Sequence, residues 1–336
     1  MNSIVYIHRG FWQNLPQDKS IEGMRARLDV SDFLNASNII TDIPIEEIEK
    51  DRFLSILLLK EQQPTPCDSG YINKIVSEID DNTITDDLCA TYLLDKTSKE
   101  CGDIERNYGV VALCAESLPN KQYLFKGDGF TPEKNKKHPQ RYLEFKSKLS
   151  HPCNSAILID PYLLNDKWTN KEDGPIQFPG IRNNLESLLD AILPEKLKIN
   201  FHLTIMSSLK DPEDVEKAYE KVKKCVKHIR KDLTVKIGLV YIPKGYRHDV
   251  ESFHSRQIQT NSFAVDSEDG LALFDNNGYL TKNNPSVSIV FPRLFGNSRQ
   301  DITKYTNWIR STKEYIKTKP KHMKGDLNNR LFDLVD

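Results

Sequence analysis

The stretch Leu197-Lys198-Ile199-Asn200-Phe201-His202-Leu203-Thr204-Ile205 puts an apolar residue at every second position. Side chains on an extended chain alternate between its two faces, so this period marks a strand with one face buried. Asp211-Pro212 then opens a helix, with a carboxylate at the N-cap and proline and further acids in the first turn. Val215, Ala218, Tyr219, Val222, Cys225, Val226 and Ile229 form its apolar stripe. His228, Arg230 and Lys231 fall in its last turn, where cations complement the dipole. A second apolar strand follows over Thr234 to Ile242.

The same alternation continues outward. Upstream, Ala156 to Ile159 is a short apolar strand ending in Asp160-Pro161-Tyr162. A helix over Ile181 to Leu193 carries Leu185, Leu188, Leu189 and Ile192 at helical spacing, and Pro194 stops it. Downstream, strands are expected at Phe253 to Ala264, Leu271 to Phe274 and Ser286 to Phe291, then a helix traced by Ile302, Tyr305, Trp308, Ile309, Tyr315 and Ile316. The pattern predicts an α/β fold whose C-terminal half is a mixed sheet flanked by helices, preceded by a smaller α/β domain.

In that N-terminal part Ser3 to Ile7 and Phe53 to Leu59 are strand-like, the second apolar enough for a central strand. Leu88 to Leu94, a helix over Ser98 to Asn107 and Gly109 to Ala115 suggest a β-α-β unit. Gly109 suits the helix C-cap, where a positive φ is tolerated. From Lys126 to His151 the apolar runs give way to a polar, basic stretch holding Lys134, Lys136, Lys137, His138, Arg141, Lys146 and Lys148, with a short helix at Gln140 to Leu149. The expected division is therefore 1–125, a basic connector at 126–151, and 152–336. A chain of 336 residues exceeds the roughly 250–300 that one core usually supports, which agrees with two domains.

Charge excludes a strongly basic nucleic-acid coat: 47 Lys and Arg nearly cancel 48 Asp and Glu, leaving room for a local patch only. No apolar run reaches the roughly 18–20 residues that span a bilayer, and Met1 to His8 is too short for a signal peptide, so a cytoplasmic protein is expected. The cysteines, Cys67, Cys89, Cys101, Cys114, Cys153 and Cys225, form no C-x-x-C pair and no zinc spacing; they read as free, mostly buried thiols. No metal or cofactor motif is present, and no Gly-rich phosphate loop.

The chemistry-bearing segment is Phe253-His254-Ser255-Arg256-Gln257-Ile258-Gln259-Thr260-Asn261. On a strand His254 and Arg256 leave the same side. An imidazole can attack phosphorus or shuttle a proton, while a guanidinium holds the non-bridging oxygens in bidentate fashion. Phosphate binding alone, or a structural role, are the other readings of His254.

His254-x-Arg256, four residues, then Asn261 resembles the phospholipase D superfamily, whose signature is His-x-Lys, four residues, then Asp. It is most similar to the C-terminal phospholipase-D-like domain of MIT-domain proteins and their prokaryotic relatives, where a His-x-Arg segment precedes a Gly-Leu pair near an aromatic. Gly270-Leu271 with Phe274 looks similar, and the resemblance covers roughly Ser155 to Leu294. It implies metal-independent phosphodiester chemistry with His254, Arg256 and Asn261 as the catalytic set, and Asp160, Tyr162, Thr260 and Gly270 as substrate-binding residues. Asn261 cannot supply the charge of the family's Asp, and Arg256 replaces its Lys. Active members combine two motifs, so a homodimer pairing two copies of His254 would complete a site. His322-Met323-Lys324, four residues, then Asn329 is a second match, of a kind that chance produces.

The resemblance implies a nuclease or a nuclease-derived nucleic-acid binder, an architecture that by analogy suits prokaryotic antiviral defence. A non-catalytic module for a partner protein or an anionic lipid surface is the alternative, and a third reading makes the N-terminal domain the effector and the C-terminal domain a sensor. Three further features have two readings each. His202 either approaches the site or is a satisfied histidine. The basic strip from Arg310 to Lys324 either follows a polyanion or is a solvated helix face. Asp95, with Glu100, Asp103 and Glu105, either resembles the acidic strand ends of metal-dependent nucleases or is scattered surface charge.

Overall fold

The computed structural model describes residues 4–16, 21–35, 37–125, 128–130, 140–164, 184–208, 215–243, 256–267, 270–271, 287–290, 299–319 and 322–335. Among them the chain is mixed α/β, with two sheets flanked by helices.

The N-terminal sheet is built from β1 (Ile4–Ile7), β2 (Asn38–Thr41), β3 (Thr65–Pro66), β4 (Thr91–Leu93) and β5 (Val111–Leu113), in the order β3-β2-β1-β4-β5. Every pairing is parallel. Parallel neighbours need crossovers, and these contain α1 (Arg9–Asn14), α2 (Ile21–Asn35), α3 (Ile45–Lys50), α4 (Tyr71–Ser77), α5 (Thr85–Leu88) and α6 (Ser98–Tyr108). Strand order reverses beside β1, which creates a topological switch point at the carboxyl ends of β1 and β4.

Two local readings of this half fare differently. Helix α6 ends as its sequence dictates: Thr97 and Glu100 form a capping box at its start, and Gly109 takes φ 63° at its C-cap. Phe53 to Leu59 is not a strand; residues Ser55–Leu59 form a 3-10 turn. The Asp51 carboxylate accepts from the Phe53 and Leu54 amides at 2.8 and 3.1 Å, which winds the chain before it can extend, and Leu59 is left 85% exposed.

The C-terminal sheet contains β6 (Asp128–Phe130), β7 (Ser155–Ile159), β8 (Phe201–Ser207), β9 (Val235–Tyr241), β10 (Arg256–Thr260), β11 (Ala264–Ser267), β12 (Val287–Val290) and β13 (Met323–Gly325). Their order is β13-β9-β8-β7-β10-β11-β12-β6, parallel through β9-β8-β7 and antiparallel elsewhere. Its helices are α7 (Gln140–Leu149), α8 (Asn184–Ile192), α9 (Val215–Ile229) and α10 (Arg299–Thr318). Strand β8 buries both faces rather than one. Leu203 and Ile205 join the main core with Val222 of α9, while Met206 packs with Ile309 of α10 and Leu331 on the other side.

Two further segments differ from expectation. The predicted strand Phe253 to Ala264 is a hairpin in its described part, β10 turning into β11 around Asn261. The stretch read as a connector is built into the sheet: β6 pairs with β12, and α7 docks on α8 through Lys146 and Asp190 at 2.7 Å. Its Lys134, Lys136, Lys137 and His138 lie outside the described residues, as do Asp211-Pro212 and residues 272–274. The cysteines are free thiols, five of them buried. Among the described residues no helix is long and apolar enough to cross a membrane.

A polar joint ties the two sheets. Asn154, fully buried ahead of β7, donates its amide to the carbonyls of Leu88 and Tyr108 at 2.8 and 3.1 Å. Asn200 pairs both its backbone and its side chain with Asp81, and the Lys198 amide reaches the Asn107 carbonyl at 2.7 Å.

Candidate functional site

The carboxyl ends of the parallel strands β7, β8 and β9 define one edge of the C-terminal sheet, the edge at which α/β sheets place ligands. Arg256 starts β10 at this edge, paired with Ser267 of β11. Its successor Gln257 faces Ile159, the last residue of β7, so Asp160 follows at the same edge.

Asp160 is fully buried and spends both carboxylate oxygens on backbone. Oδ1 accepts from the Tyr162 amide at 2.7 Å and Oδ2 from the Leu271 amide at 2.6 Å. That second bond ties the turn after β11 to the end of β7. Gly270 sits in the turn at φ 99°, and the Ser267 hydroxyl donates to its carbonyl at 2.7 Å. A Cβ at Gly270 would lie 3.4 Å from Asp160 Oδ2 and 3.5 Å from Arg256 Cδ, so the glycine stands close to both side chains. The Arg256 guanidinium lies 5.8 Å from the centre of the Tyr162 ring, which is 48% exposed. The result is a guanidinium beside a half-open aromatic, at an edge whose backbone a buried carboxylate holds.

The structure thus brings together Asp160, Tyr162, Arg256 and Gly270. It does not bring Thr260 and Asn261 to them. Those two end β10 at its other extremity, about 13–17 Å from Arg256 along an extended strand. Thr260 Oγ1 donates to the Phe263 carbonyl and accepts from the Ser262 and Phe263 amides, closing the hairpin turn. Asn261 belongs to the joint between the sheets. Its Oδ1 accepts from the Asn154 amide at 2.8 Å and its Nδ2 donates to the Gly109 carbonyl at 2.9 Å. His254 lies outside the described residues.

The second motif match is engaged elsewhere. His322 Nδ1 is 3.1 Å from the Tyr315 hydroxyl, Lys324 pairs with Glu216 at 2.7 Å, and Asn329 donates to the Ala156 carbonyl at 2.9 Å. A strand does contain part of it, the short edge strand β13. Three strands separate β13 from β10, roughly 19 Å at ordinary spacing. His202 is a buried histidine against Arg330, with Nε2 3.4 Å from the guanidinium. Burial first, and Arg330 second, lower its pKa to about 4.

The acids near Asp95 do not converge. Glu100 caps α6, Asp103 pairs with Arg106, and Glu105 pairs with Lys121 at 2.6 Å. Among the described residues no group of three or more His, Cys, Asp or Glu could hold a metal ion. In the basic strip, Arg310 donates to Asn307 and Lys313 to the Val335 carbonyl, so part of it serves the packing of α10.

Sequence reasoning passed over the corresponding edge of the N-terminal sheet. His8 follows β1; its Nδ1 accepts from the Gly10 amide at 3.1 Å, which turns Nε2 toward Asp42 at 3.4 Å. Asp42 follows β2 and also takes the Arg9 amide at 2.5 Å. The available signal was position alone: both residues stand one step beyond a parallel strand.

No family model matches the chain, and no curated protein matches it.

Proposed function

We propose that the protein is directed at phosphodiesters, as a nuclease or a nuclease-derived nucleic-acid binder, with the C-terminal half as a phospholipase-D-like domain working in the cytoplasm. The observation that carries this reading is the Arg256 guanidinium, placed at a sheet edge near Asp160, Gly270 and the half-exposed Tyr162 ring. A guanidinium can take two phosphate oxygens at once, and a neighbouring aromatic offers a base a face to stack on. Holding the phosphate in this way requires no metal.

Between the two forms, Asn261 favours the binder. The Asp of the active signature has its counterpart here in a buried amide whose hydrogen bonds run to Asn154 and Gly109. If cleavage occurs, His254 is the nucleophile. Its nitrogen bonds to phosphorus, the P–O bond to the leaving strand breaks with the proton supplied by a second His254 from a paired copy, and water releases the strand from the imidazole.

Incubation of the full chain with single- and double-stranded DNA and RNA in the presence of chelator tests the reading. A nuclease cuts, and loses cutting in His254→Ala while keeping it in His322→Ala. A binder retains the nucleic acid uncut. Neither cutting nor binding leaves the module for a partner protein or lipid as the better account.

A further inference from the structure

The carboxyl edge of the N-terminal sheet carries a cavity of about 280 Å³ that the site above does not use. It lies among three helices, each contributing one cation: Arg9 from α1, Arg27 from α2 and Lys50 from α3. Ile43 and Leu54 supply an apolar wall.

These cations differ in how far they are already occupied. Arg9 is committed to Glu47 through both Nε and Nη2. Arg27 is 93% buried by its 7% relative exposure and is held by the chain itself: Nε donates to the Pro16 carbonyl at 3.1 Å, and Nη2 to the Trp12 and Leu15 carbonyls at 3.3 and 3.0 Å. Its Nη1 makes no hydrogen bond among the described residues; it faces Asp51 at 3.8 Å. Asp51 is itself filled, taking Trp12 Nε1 at 2.7 Å together with the Phe53 and Leu54 amides. Lys50 is exposed, and its side chain has no hydrogen bond or ion pair among the described residues. Three cations against the two carboxylates Glu47 and Asp51 leave the wall one positive charge in excess.

We propose that this cavity binds a small organic phosphate, with the anionic group between Arg27 Nη1 and Lys50 and the organic body against Ile43 and Leu54. Donors arriving from two helices, Arg27 Nη1 from α2 and Lys50 from α3, suit a tetrahedral anion better than a planar carboxylate, which presents only two oxygens in one plane. The immobilised Arg27 carries a donor whose ordering is complete before the ligand arrives, which favours binding. The volume sits at the small end of ligand pockets, about 300 Å³ and upward, so the occupant is one small molecule and not a polymer. Inorganic phosphate alone would leave the apolar wall uncovered.

Calorimetric titration of the full chain at low salt, with ribose 5-phosphate, AMP, adenosine and inorganic phosphate as probes, tests the site. Saturable binding of ribose 5-phosphate or AMP is expected, weakened about tenfold in Lys50→Glu and largely kept in Lys50→Arg, as loss of a charge-assisted hydrogen bond implies. Lys50 is exposed, so an unchanged melting temperature will show that Lys50→Glu is folded. Arg256→Ala should leave this binding untouched, which separates it from the C-terminal reading. No saturable binding of either organic phosphate up to about 10 mM overturns the proposal. So does equal binding by Lys50→Glu, adenosine binding as well as AMP, or inorganic phosphate binding as well as the organic phosphates.

Discussion

Asn261 donates its side-chain amide to the carbonyl of Gly109 at 2.9 Å, across the joint between the two sheets. Both ends of that bond are fixed by their surroundings. Gly109 holds φ 63° at the end of α6, and a Cβ on it would come within 2.3 Å of the Cys153 carbonyl oxygen. Asn261 is 2% exposed, with its oxygen engaged by the Asn154 amide. Asn261, which the proposed reading sets at the signature's carboxylate position, therefore works as a connection between halves of the molecule.

Asn261→Asp, which would complete the proposed phospholipase-D-like signature, is expected to destabilise the protein and to add no cleavage. The new carboxylate keeps the contact to the Asn154 amide but turns an anionic oxygen toward the Gly109 carbonyl. A buried charge facing an acceptor costs about 3–5 kcal/mol, or shifts to its protonated form at a smaller cost. The urea midpoint should fall with its slope unchanged, and fall less at acid pH, where protonation lets the side chain donate again.

Asp160→Asn should loosen the candidate site from within. The carboxylate accepts from two backbone amides, Tyr162 and Leu271; an amide side chain has one oxygen and must present hydrogens to the other donor. A loss of about 1–3 kcal/mol is expected, with faster hydrogen exchange at Leu271 or Tyr162 than at β8. Equal protection at all three in mutant and wild type would count against this bracing role.

His202 makes stability depend on pH. Its folded pKa, about 4, lies below the ordinary 6.5, because burial and then Arg330 disfavour the imidazolium. Between these values the unfolded chain binds the proton and the folded one does not. The contribution is therefore full above roughly pH 6.5, is lost as pH falls toward 4, and changes no further below it. After discounting for the water that reaches the ring edge, the effect is about 2–3 kcal/mol. A pH series of melting temperatures should show this slope flattened in His202→Gln.

What was legible in the sequence was local. Helix α6 with its Gly109 cap, the stripe of α9, and the strands β7 and β9 follow from period and capping within a few residues. The place of Asp160 just after an apolar strand was also legible, whereas Arg256, read inside a strand from Phe253, instead starts β10. The role of Asn261 was not, because its partners lie 107 and 152 residues away in the chain. The same holds for the hairpin at β10 and β11: Thr260 closes it through side-chain bonds that leave no apolar periodicity to read. Strand β6 was hidden for a related reason, as an edge strand recruited from a polar stretch by the neighbouring β12.

The most direct test of the account is the affinity of the wild type and Arg256→Ala for labelled single-stranded and duplex oligonucleotides over a salt series. The wild type is expected to bind, and Arg256→Ala to weaken binding about tenfold or more, with the slope of log affinity against log salt reduced by about one, as removal of one phosphate contact requires. Unchanged affinity and slope in Arg256→Ala, or no binding by the wild type even at low salt, would contradict it.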